Sequence, residues 1–173
     1  RTGTTADRVV MHTPAVPGAA LERLAGGGAR LIETGLLETS EAFNAVHAKG
    51  ALHGAAPFER GAKPPFHTPL DNFVKLRVWQ LEEYRRVVFV DADALVLQNC
   101  DRLFAYPEFS AAPNVYESLA DFHRLNSGVF VAAPSAATFA RMMGALDRPG
   151  AFWRRTDQTF LQDFFPDWPR RPV

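Results

Sequence analysis

The chain has 173 residues, of which 47% are hydrophobic, and its 19 basic and 19 acidic side chains give a formal net charge of zero. This balance argues against a nucleic-acid-binding surface, which requires a clear excess of positive charge. The single cysteine, Cys100, excludes a disulfide framework and a cysteine-rich metal site, and it favours a reducing compartment such as the cytoplasm. Because no apolar run reaches the roughly 18 residues of a membrane-spanning helix, the sequence predicts one globular domain without a membrane span.

The first third of the sequence predicts a strand, a helix and a second strand. Residues 7–13 (DRVVMHT) and 29–34 (ARLIET) contain the short apolar runs that form buried strands. Between them, Leu21 and Leu24 fall at helical spacing before three glycines at 26–28. Strand, helix and strand in this order indicate a parallel α/β unit.

The middle of the chain begins with a segment that breaks every periodicity. Glycines and prolines interrupt residues 48–69, so the sequence predicts a long Gly/Pro-rich loop that is either a functional lid or simply mobile. Residues 70–84 then predict a helix, because apolar residues repeat every three or four positions. The apolar stripe of this helix consists of Leu70, Val74, Val78 and Leu81, with Phe73 beside it.

The second half of the chain adds two strands and two helices. Residues 87–90 (VVFV) and 126–133 (NSGVFVAA) are typical of strands that are covered on both faces. Ser135 can cap a helix, and Asp157 begins a last helix that Pro166 ends. The order of elements predicts an α/β fold in which helices flank a mostly parallel sheet.

Two carboxylates follow the strand at 87–90 directly. Asp91 and Asp93 are two residues apart, and in an extended segment such residues point to the same side. The two charges repel each other, and burial raises the cost of keeping both groups ionised. A hard divalent cation such as Mg²⁺ or Mn²⁺ removes that cost and typically keeps coordination positions for phosphate oxygens. Because ligands of open α/β sheets bind beyond the carboxyl ends of strands, the pair predicts a metal–diphosphate site.

Two other interpretations of the carboxylate pair stay open. Asp91 and Asp93 can form a solvated turn, since aspartate is a common turn residue. They can also belong to a phosphohydrolase of the haloacid-dehalogenase type, in which the first aspartate of such a pair is the nucleophile. In that group the pair normally ends the first strand, and threonine or valine follows it. Here the pair ends at least the third strand and Leu95 stands at that place, and both differences count against this interpretation.

Several motifs follow one another in a defined order along the chain. They are DRVVMHTP (7–14), FVKLRVW (73–79), VVFVDADALVLQNCDRLF (87–104), SAAP (110–113), NSGVFV (126–131) and DQTFLQDFFPDW (157–168). In this order they resemble glycosyltransferase family 8, the group that contains glycogenin and galactinol synthase. The resemblance covers nearly the whole chain except the loop at 48–69, and ordered motifs are far more specific than an Asp-x-Asp pair alone.

The resemblance implies a fold, a reaction and a metal ion. Members of the family have a GT-A fold, a Rossmann-like mixed sheet that binds a nucleotide sugar, and their Asp-x-Asp motif holds Mn²⁺ (or Mg²⁺). They transfer a hexose, usually glucose from UDP-glucose or galactose from UDP-galactose, with retention at the anomeric carbon. Carried over by motif, Asp93 is the principal metal ligand, Asp91 contacts the metal and the ribose, and Lys75 reaches the nucleotide or the sugar. The acceptor is unknown.

The same resemblance places four polar residues around the donor sugar. It implies that Asn126 and Ser127 line the sugar pocket and that Asp157 and Gln158 lie beside the reacting carbon. These side chains supply both the donors and the acceptors that sugar hydroxyls require. A carboxylate near the anomeric carbon can stabilise oxocarbenium character, although the two-carboxylate scheme of retaining hydrolases is not assumed.

Each of these residues also has an ordinary structural explanation. Lys75 can form an ion pair with Asp71 on the helix surface, Asn126 can belong to a turn, and Asp157 can cap a helix. Four histidines lack the spacing of metal ligands and are expected in loops or on the surface: His47, His53, His67 and His123. The tryptophans are expected to pack in or beside the core: Trp79, Trp153 and Trp168.

The sequence departs from the family in several places. Glycogenins have an aspartate after SAAP where this chain has Asn114, and they have Asp-Gly-Gly before Asp-Gln where it has RRT (154–156). Both differences argue against self-glucosylating glycogenin activity. Because the family's first strand and its later segment with a third metal ligand are not found, residues 1–173 are expected to be part of a GT-A domain. Such a part is expected to bind donor weakly or not at all by itself, and a non-catalytic nucleotide-sugar-binding domain is a further alternative.

Overall fold

The structure is a computed structural model that describes residues 2–55, 68–114 and 124–168. The strands are β1 (Val9–His12), β2 (Arg30–Glu33), β3 (Val87–Val90), β4 (Ser110–Pro113) and β5 (Leu125–Ala132). The α-helices are α1 (Gly18–Gly26), α2 (Glu41–His47), α3 (Lys49–Ala55), α4 (Ala136–Leu146) and α5 (Asp157–Phe164). Two segments form 3₁₀ helices, a long one at Pro69–Gln80 and a short one at Asp101–Ala105.

The strands form two small sheets. β1 and β2 pair in parallel, whereas β5 lies between β3 and β4 and runs antiparallel to both. The mixed α/β character is as predicted, but the expectation of mostly parallel pairing does not hold among the described strands. An apolar run such as VVFV fits a strand of either direction, so the sequence pattern carries no information on whether its neighbours are parallel.

A cavity of about 510 Å³ lies between the two sheets. Every residue of β1 and every residue of β3 lines it. Since consecutive residues of a strand point to opposite faces, a cavity that touches all of them lies at the strand edges and not on a face. Among the described strands, β1 and β3 each stand at the end of their sheet, so both edges face this cavity. Lys75 and Asp91 also contribute to its wall.

The hydrophobic core packs against the three-stranded sheet and is rich in aromatic rings. The ring of Trp79 stacks on Phe130 of β5 at 5.6 Å and on Phe165 at 5.8 Å. Its indole N–H donates to Glu108 Oε1 at 2.7 Å, so the one polar atom of this buried side chain is satisfied. Trp79, Trp153 and Trp168 are all buried, which confirms that they pack in the core.

The helix predicted over residues 70–84 forms, but it is a 3₁₀ helix that ends at Gln80. In this geometry residues three apart lie on one face. Phe73, Leu76 and Trp79 accordingly form the buried face, each at most 1% exposed. Lys75 points away from that face, which is how a lysine within an apolar helix comes to contact polar groups outside the core.

The predicted loop at 48–69 is partly wrong, because Lys49–Ala55 form α3. The side chain of Leu52 is fully buried. The helix forms although its two glycines each cost about 1 kcal/mol relative to alanine, so tertiary packing overrides the local propensity here. Residues 56–67 of the predicted loop lie outside the described residues.

The C-terminal elements agree with the predictions. The Ser135 side chain caps α4 by accepting a hydrogen bond from the Thr138 N–H at 3.3 Å. α5 begins at Asp157 and ends at Phe164, two residues before Pro166. Asp157 is the first residue of this helix, and the capping position belongs to Thr156. No helix in the described part of the chain is both long enough and apolar enough to cross a membrane.

Candidate functional site

Four elements meet where β3 ends. Asp91 follows β3, Ser127 lies in β5, Asp157 begins α5, and Lys75 comes from the long 3₁₀ helix. The antiparallel pairing of β3 with β5 continues one step beyond β3, since the Asp91 N–H donates to the carbonyl of Gly128 at 2.8 Å. This pairing holds Asp91 beside the residues around position 127, although 36 residues of sequence separate Asp91 from Ser127.

Lys75 is the centre of the site. Its Nζ lies 3.0 Å from Asp91 Oδ1 and 3.1 Å from Asp91 Oδ2. The same atom lies 3.1 Å from Asp157 Oδ2 and 3.2 Å from Ser127 Oγ. The side chain of Lys75 is 14% exposed, against 28% for Asp91 and 3% for Asp157. One ammonium group therefore links two carboxylates, one at the surface and one almost fully buried.

The carboxylate of Asp157 is held through both of its oxygens. Oδ2 accepts hydrogen bonds from Lys75 Nζ and from the hydroxyl of Ser127. Oδ1 accepts from the hydroxyl of Thr156 at 2.8 Å. These donors satisfy a buried carboxylate that would otherwise be costly to keep ionised.

Lys75 and Asp91 both have perturbed pKa values. Burial lowers the pKa of Lys75, but the charges of Asp157 and Asp91 outweigh it, so the pKa lies above its ordinary value. Burial raises the pKa of Asp91 above its usual range, and the neighbouring charge of Lys75 opposes this shift. Lys75 is therefore firmly cationic at neutral pH.

Asn126, in β5, and Gln158, in α5, lie at the rim of the same site. Asn126 Oδ1 accepts from the Gly128 N–H at 2.8 Å, and Gln158 Oε1 accepts from the Ser127 N–H at 3.3 Å. A Cβ on Gly128 would lie 2.9 Å from Asn126 Oδ1 and 3.3 Å from Asp91 Oδ2. A side chain at position 128 would therefore force the Asn126 amide to move and would crowd the carboxylate of Asp91.

Asp93 differs from Asp91, because it is exposed and belongs to a segment that leaves the sheet. Leu95 and Leu97 follow it and are also exposed, at 81% and 83%. Carboxylate oxygens are suitable ligands for Mn²⁺ or Mg²⁺, so Asp91 and Asp93 fit such an ion by donor type. Among the described residues, however, no group of three or more acidic, histidine or cysteine side chains could hold a metal ion.

The structure decides three of the ordinary explanations. Lys75 contacts Asp91 and Asp157, while the carboxylate of Asp71 accepts from the Thr68 hydroxyl at 2.6 Å. Asp157 contacts Lys75 and Ser127 and is not the capping residue. The expectation that His47 lies in a loop or on the surface is wrong, because its ring is fully buried at the end of α2. His67 and His123 lie outside the described residues, as does the side chain of His53.

Two residues of the site were not predicted from the sequence. Thr156 bonds the carboxylate of Asp157, and Asn72 Nδ2 donates to the Thr156 hydroxyl at 3.2 Å. Asn72 lies three residues before Lys75, so a 3₁₀ interpretation of residues 69–80 would have placed both on one face. No local signal marks Thr156, because threonine is common beside helix starts.

Both the sequence and the structure of this chain are similar to those of known proteins. The chain is 41% identical over 99 residues to the putative UDP-glucuronate:xylan alpha-glucuronosyltransferase 5 of Arabidopsis thaliana, covering 57% of this chain and 16% of the relative. It is 41% identical over 97 residues to glycogenin-1 of Caenorhabditis elegans (56% and 21%) and 43% identical over 97 residues to glycogenin-1 of Oryctolagus cuniculus (56% and 28%). The resemblance to glycosyltransferase family 8 is confirmed.

The structural comparison concerns the fold. The apo-form glycosyltransferase GlyE of Streptococcus pneumoniae TIGR4 superposes with a TM-score of 0.52 at 13% identity, covering 94% of this chain and 44% of GlyE. This likeness confirms the α/β fold class of the GT-A type. No protein-family model matches the chain. The chain spans between about a sixth and about a quarter of the length of these curated relatives.

Proposed function

We propose that this chain carries part of the active site of a metal-dependent, retaining hexosyltransferase that uses a UDP sugar. The observation that carries the proposal is the placement of Lys75 between Asp91 and Asp157. It joins the carboxyl end of a strand, where ligands of α/β folds bind, to the beginning of α5. Several of the relatives named above are glycosyltransferases, which supports the same class of reaction.

The charge of the site explains why such an enzyme would need a cation. One ammonium group faces two carboxylates, so Lys75, Asp91 and Asp157 together carry one net negative charge, and the exposed Asp93 adds to it. A diphosphate is itself anionic and would be repelled. Asp91 and Asp93 would hold Mn²⁺ or Mg²⁺, which supplies the positive charge that stabilises a departing diphosphate.

The remaining residues have roles that follow from their chemistry. Lys75 is positioned to orient the diphosphate and to stabilise the charge that develops on it as the glycosyl bond breaks. The carboxylate of Asp157 bonds Lys75 directly and would stabilise positive charge at the anomeric carbon. Asn126 and Gln158 can bond sugar hydroxyls at the rim, while the hydroxyl of Ser127 holds Asp157.

The donor sugar is the finer part of the proposal. Glucose or galactose is our first candidate, from the resemblance of the motifs. Glucuronate is the second, because several relatives bear the name of UDP-glucuronate-dependent transferases. A phosphohydrolase with Asp91 as nucleophile is less well supported, since both oxygens of Asp91 bond to Lys75 Nζ and the named relatives are glycosyltransferases.

The experiment that tests the proposal measures UDP release by the full-length polypeptide. The donors are UDP-glucose, UDP-galactose and UDP-glucuronate, each with and without Mn²⁺, for wild type and Asp93→Asn. We expect Mn²⁺-dependent release from one donor and a loss of about 10²-fold or more in Asp93→Asn. Asp163→Asn is the matched control, because Asp163 is an exposed aspartate that pairs only loosely with Arg148 at 3.5 Å. Release that is absent for every donor, or indifferent to Asp93, would overturn the proposal.

A further inference from the structure

Thr156, which precedes Asp157, has a backbone conformation that threonine rarely adopts. Its φ is 51° and its ψ is −126°, in the region that normally belongs to glycine. For a β-branched residue this conformation is a genuine outlier. Such strain persists only where the surroundings fix it, and it is concentrated at functional sites.

The surroundings of Thr156 fix its side chain as well as its backbone. The backbone N–H donates to the Trp153 carbonyl at 2.8 Å, and the backbone carbonyl accepts from the Phe160 N–H at 3.1 Å. The buried hydroxyl accepts from Asn72 Nδ2 at 3.2 Å and donates to Asp157 Oδ1 at 2.8 Å. A glycine would relieve the strain but could make neither of the two side-chain bonds.

We propose that Thr156 is a positioning residue that fixes the carboxylate of Asp157 for the reaction. The inference deepens the proposed function and rests on it. Through one hydrogen bond to each residue, Thr156 links Asn72, on the long 3₁₀ helix, to Asp157 at the start of α5. The strained backbone conformation is the cost of having a threonine with its hydroxyl, and not a glycine, at this position.

The need for a second anchor follows from the geometry of Asp157. Lys75 and Ser127 both bond Oδ2, so without Thr156 the carboxylate is held through one oxygen only. A carboxylate held in this way can rotate about its remaining contacts. The Thr156 hydroxyl bonds Oδ1 and thereby fixes the plane of the group. Displacement of a catalytic group by about 1 Å can lower a rate by about 10²-fold.

The first test compares Thr156→Val with Thr156→Ser in the full-length polypeptide. Valine keeps the shape and removes the hydroxyl, so we expect kcat for UDP release to fall about 10- to 100-fold while KM for the UDP sugar changes little. Serine restores the hydroxyl, and we expect it to recover most of the lost kcat. Thr159→Val is the matched control, because Thr159 accepts from the Arg155 N–H at 3.1 Å in the same turn and is not bonded to Asp157 in the structure. Equal losses of kcat in Thr156→Val and Thr159→Val would overturn the inference.

The second test uses Thr156→Gly and does not depend on turnover. We expect glycine to keep or raise the unfolding midpoint, since it relieves the strain, and to leave Asp157 displaced in a crystal structure of the variant. If Asp157 keeps its place in both the Gly and the Val variant, Thr156 does not position it and the inference is wrong. Absence of UDP release by wild type would refute the proposed function alone, and the two variant structures would still decide the role of Thr156.

Discussion

Two polar clusters in the interior of the described part of the chain differ in charge. The Lys75 cluster joins an ammonium group to the carboxylates of Asp91 and Asp157, and it reaches the surface at Asp91. The His47 cluster is centred on one imidazole ring that is fully buried. This ring lies between α2 and the turn before α5. Both clusters connect distant parts of the chain, but one does so with charged groups and the other with a neutral ring.

The His47 cluster is neutral and fully satisfied. Nε2 accepts from the Trp153 N–H at 2.9 Å, so Nδ1 carries the proton and donates to the Phe43 carbonyl at 3.0 Å. The ring also stacks on Phe43, with 4.1 Å between the ring centroids. Burial lowers the pKa of His47, against the weaker influences of the Phe43 carbonyl and the charge of Asp147. This arrangement is typical of a structural histidine.

The two clusters have different roles in the molecule. A neutral group with both nitrogens paired contributes to stability through hydrogen bonds and packing. A buried ion pair pays for desolvation and is weak evidence for stability, so its presence at a sheet edge favours a role in binding or catalysis.

Lys75→Met should affect activity most. The variant removes the positive charge that lies within 3.1 Å of both Asp91 and Asp157, and we expect kcat/KM for UDP release to fall about 10²- to 10³-fold. Arg30→Met is the matched control, because Arg30 forms an exposed ion pair with Glu83 at 2.8 Å. Steady-state kinetics of both variants measure the contrast. Similar activity of Lys75→Met and wild type would remove Lys75 from the catalytic groups.

His47→Ala should affect stability more than catalysis. The substitution leaves the Trp153 N–H without its acceptor, removes the side-chain hydrogen bond to the Phe43 carbonyl and opens a cavity, so we expect the free energy of unfolding to fall by about 3 kcal/mol. Urea denaturation measures this value. The ring of the control residue, His12, is only partly buried and bonds one carbonyl, so His12→Ala should cost clearly less. A larger loss in the control would contradict the structural role of His47.

The pH dependence of stability should report the same histidine with a smaller effect. Because the folded state lowers the pKa of His47 below its ordinary 6.5, the unfolded chain binds more protons in that range. The stabilising contribution of His47 to the free energy of unfolding is therefore fully present above about pH 7. It declines as the pH falls, by at most about 1.4 kcal/mol per pH unit. Between about pH 8 and pH 5, the free energy of unfolding should change more steeply with pH in wild type than in His47→Gln. Parallel curves would mean that burial does not hold the ring neutral.

The sequence predicts much of the fold because its elements are marked locally. β3, the serine cap of α4 and the beginning of α5 at Asp157 all carry signals within a few residues. The 3₁₀ geometry of Pro69–Gln80 and the helix at Lys49–Ala55 were not predictable in this way, since both depend on which side chains the core accepts. Strand direction was not predictable either, because apolar runs fit both directions.

The candidate site divides in the same manner. The motif resemblance indicates Lys75, Asp91 and Asp157 as members of one site, and the structure brings them within hydrogen-bonding distance. It does not bring Asp93 into this cluster, and it adds Asn72 and Thr156. Contacts between residues 84 positions apart, such as those two, leave no local trace in a single sequence.

The fold class, the residue types of the site and the positions of most helices and strands follow from the amino-acid sequence alone. These properties depend on composition, periodicity and short motifs, which are local. Three features are visible only in the folded chain: Lys75 joins Asp91 to Asp157, His47 is a buried neutral ring, and Thr156 adopts a strained conformation. Each of these depends on the free energy of packing distant segments together, and that free energy belongs to the folded chain as a whole.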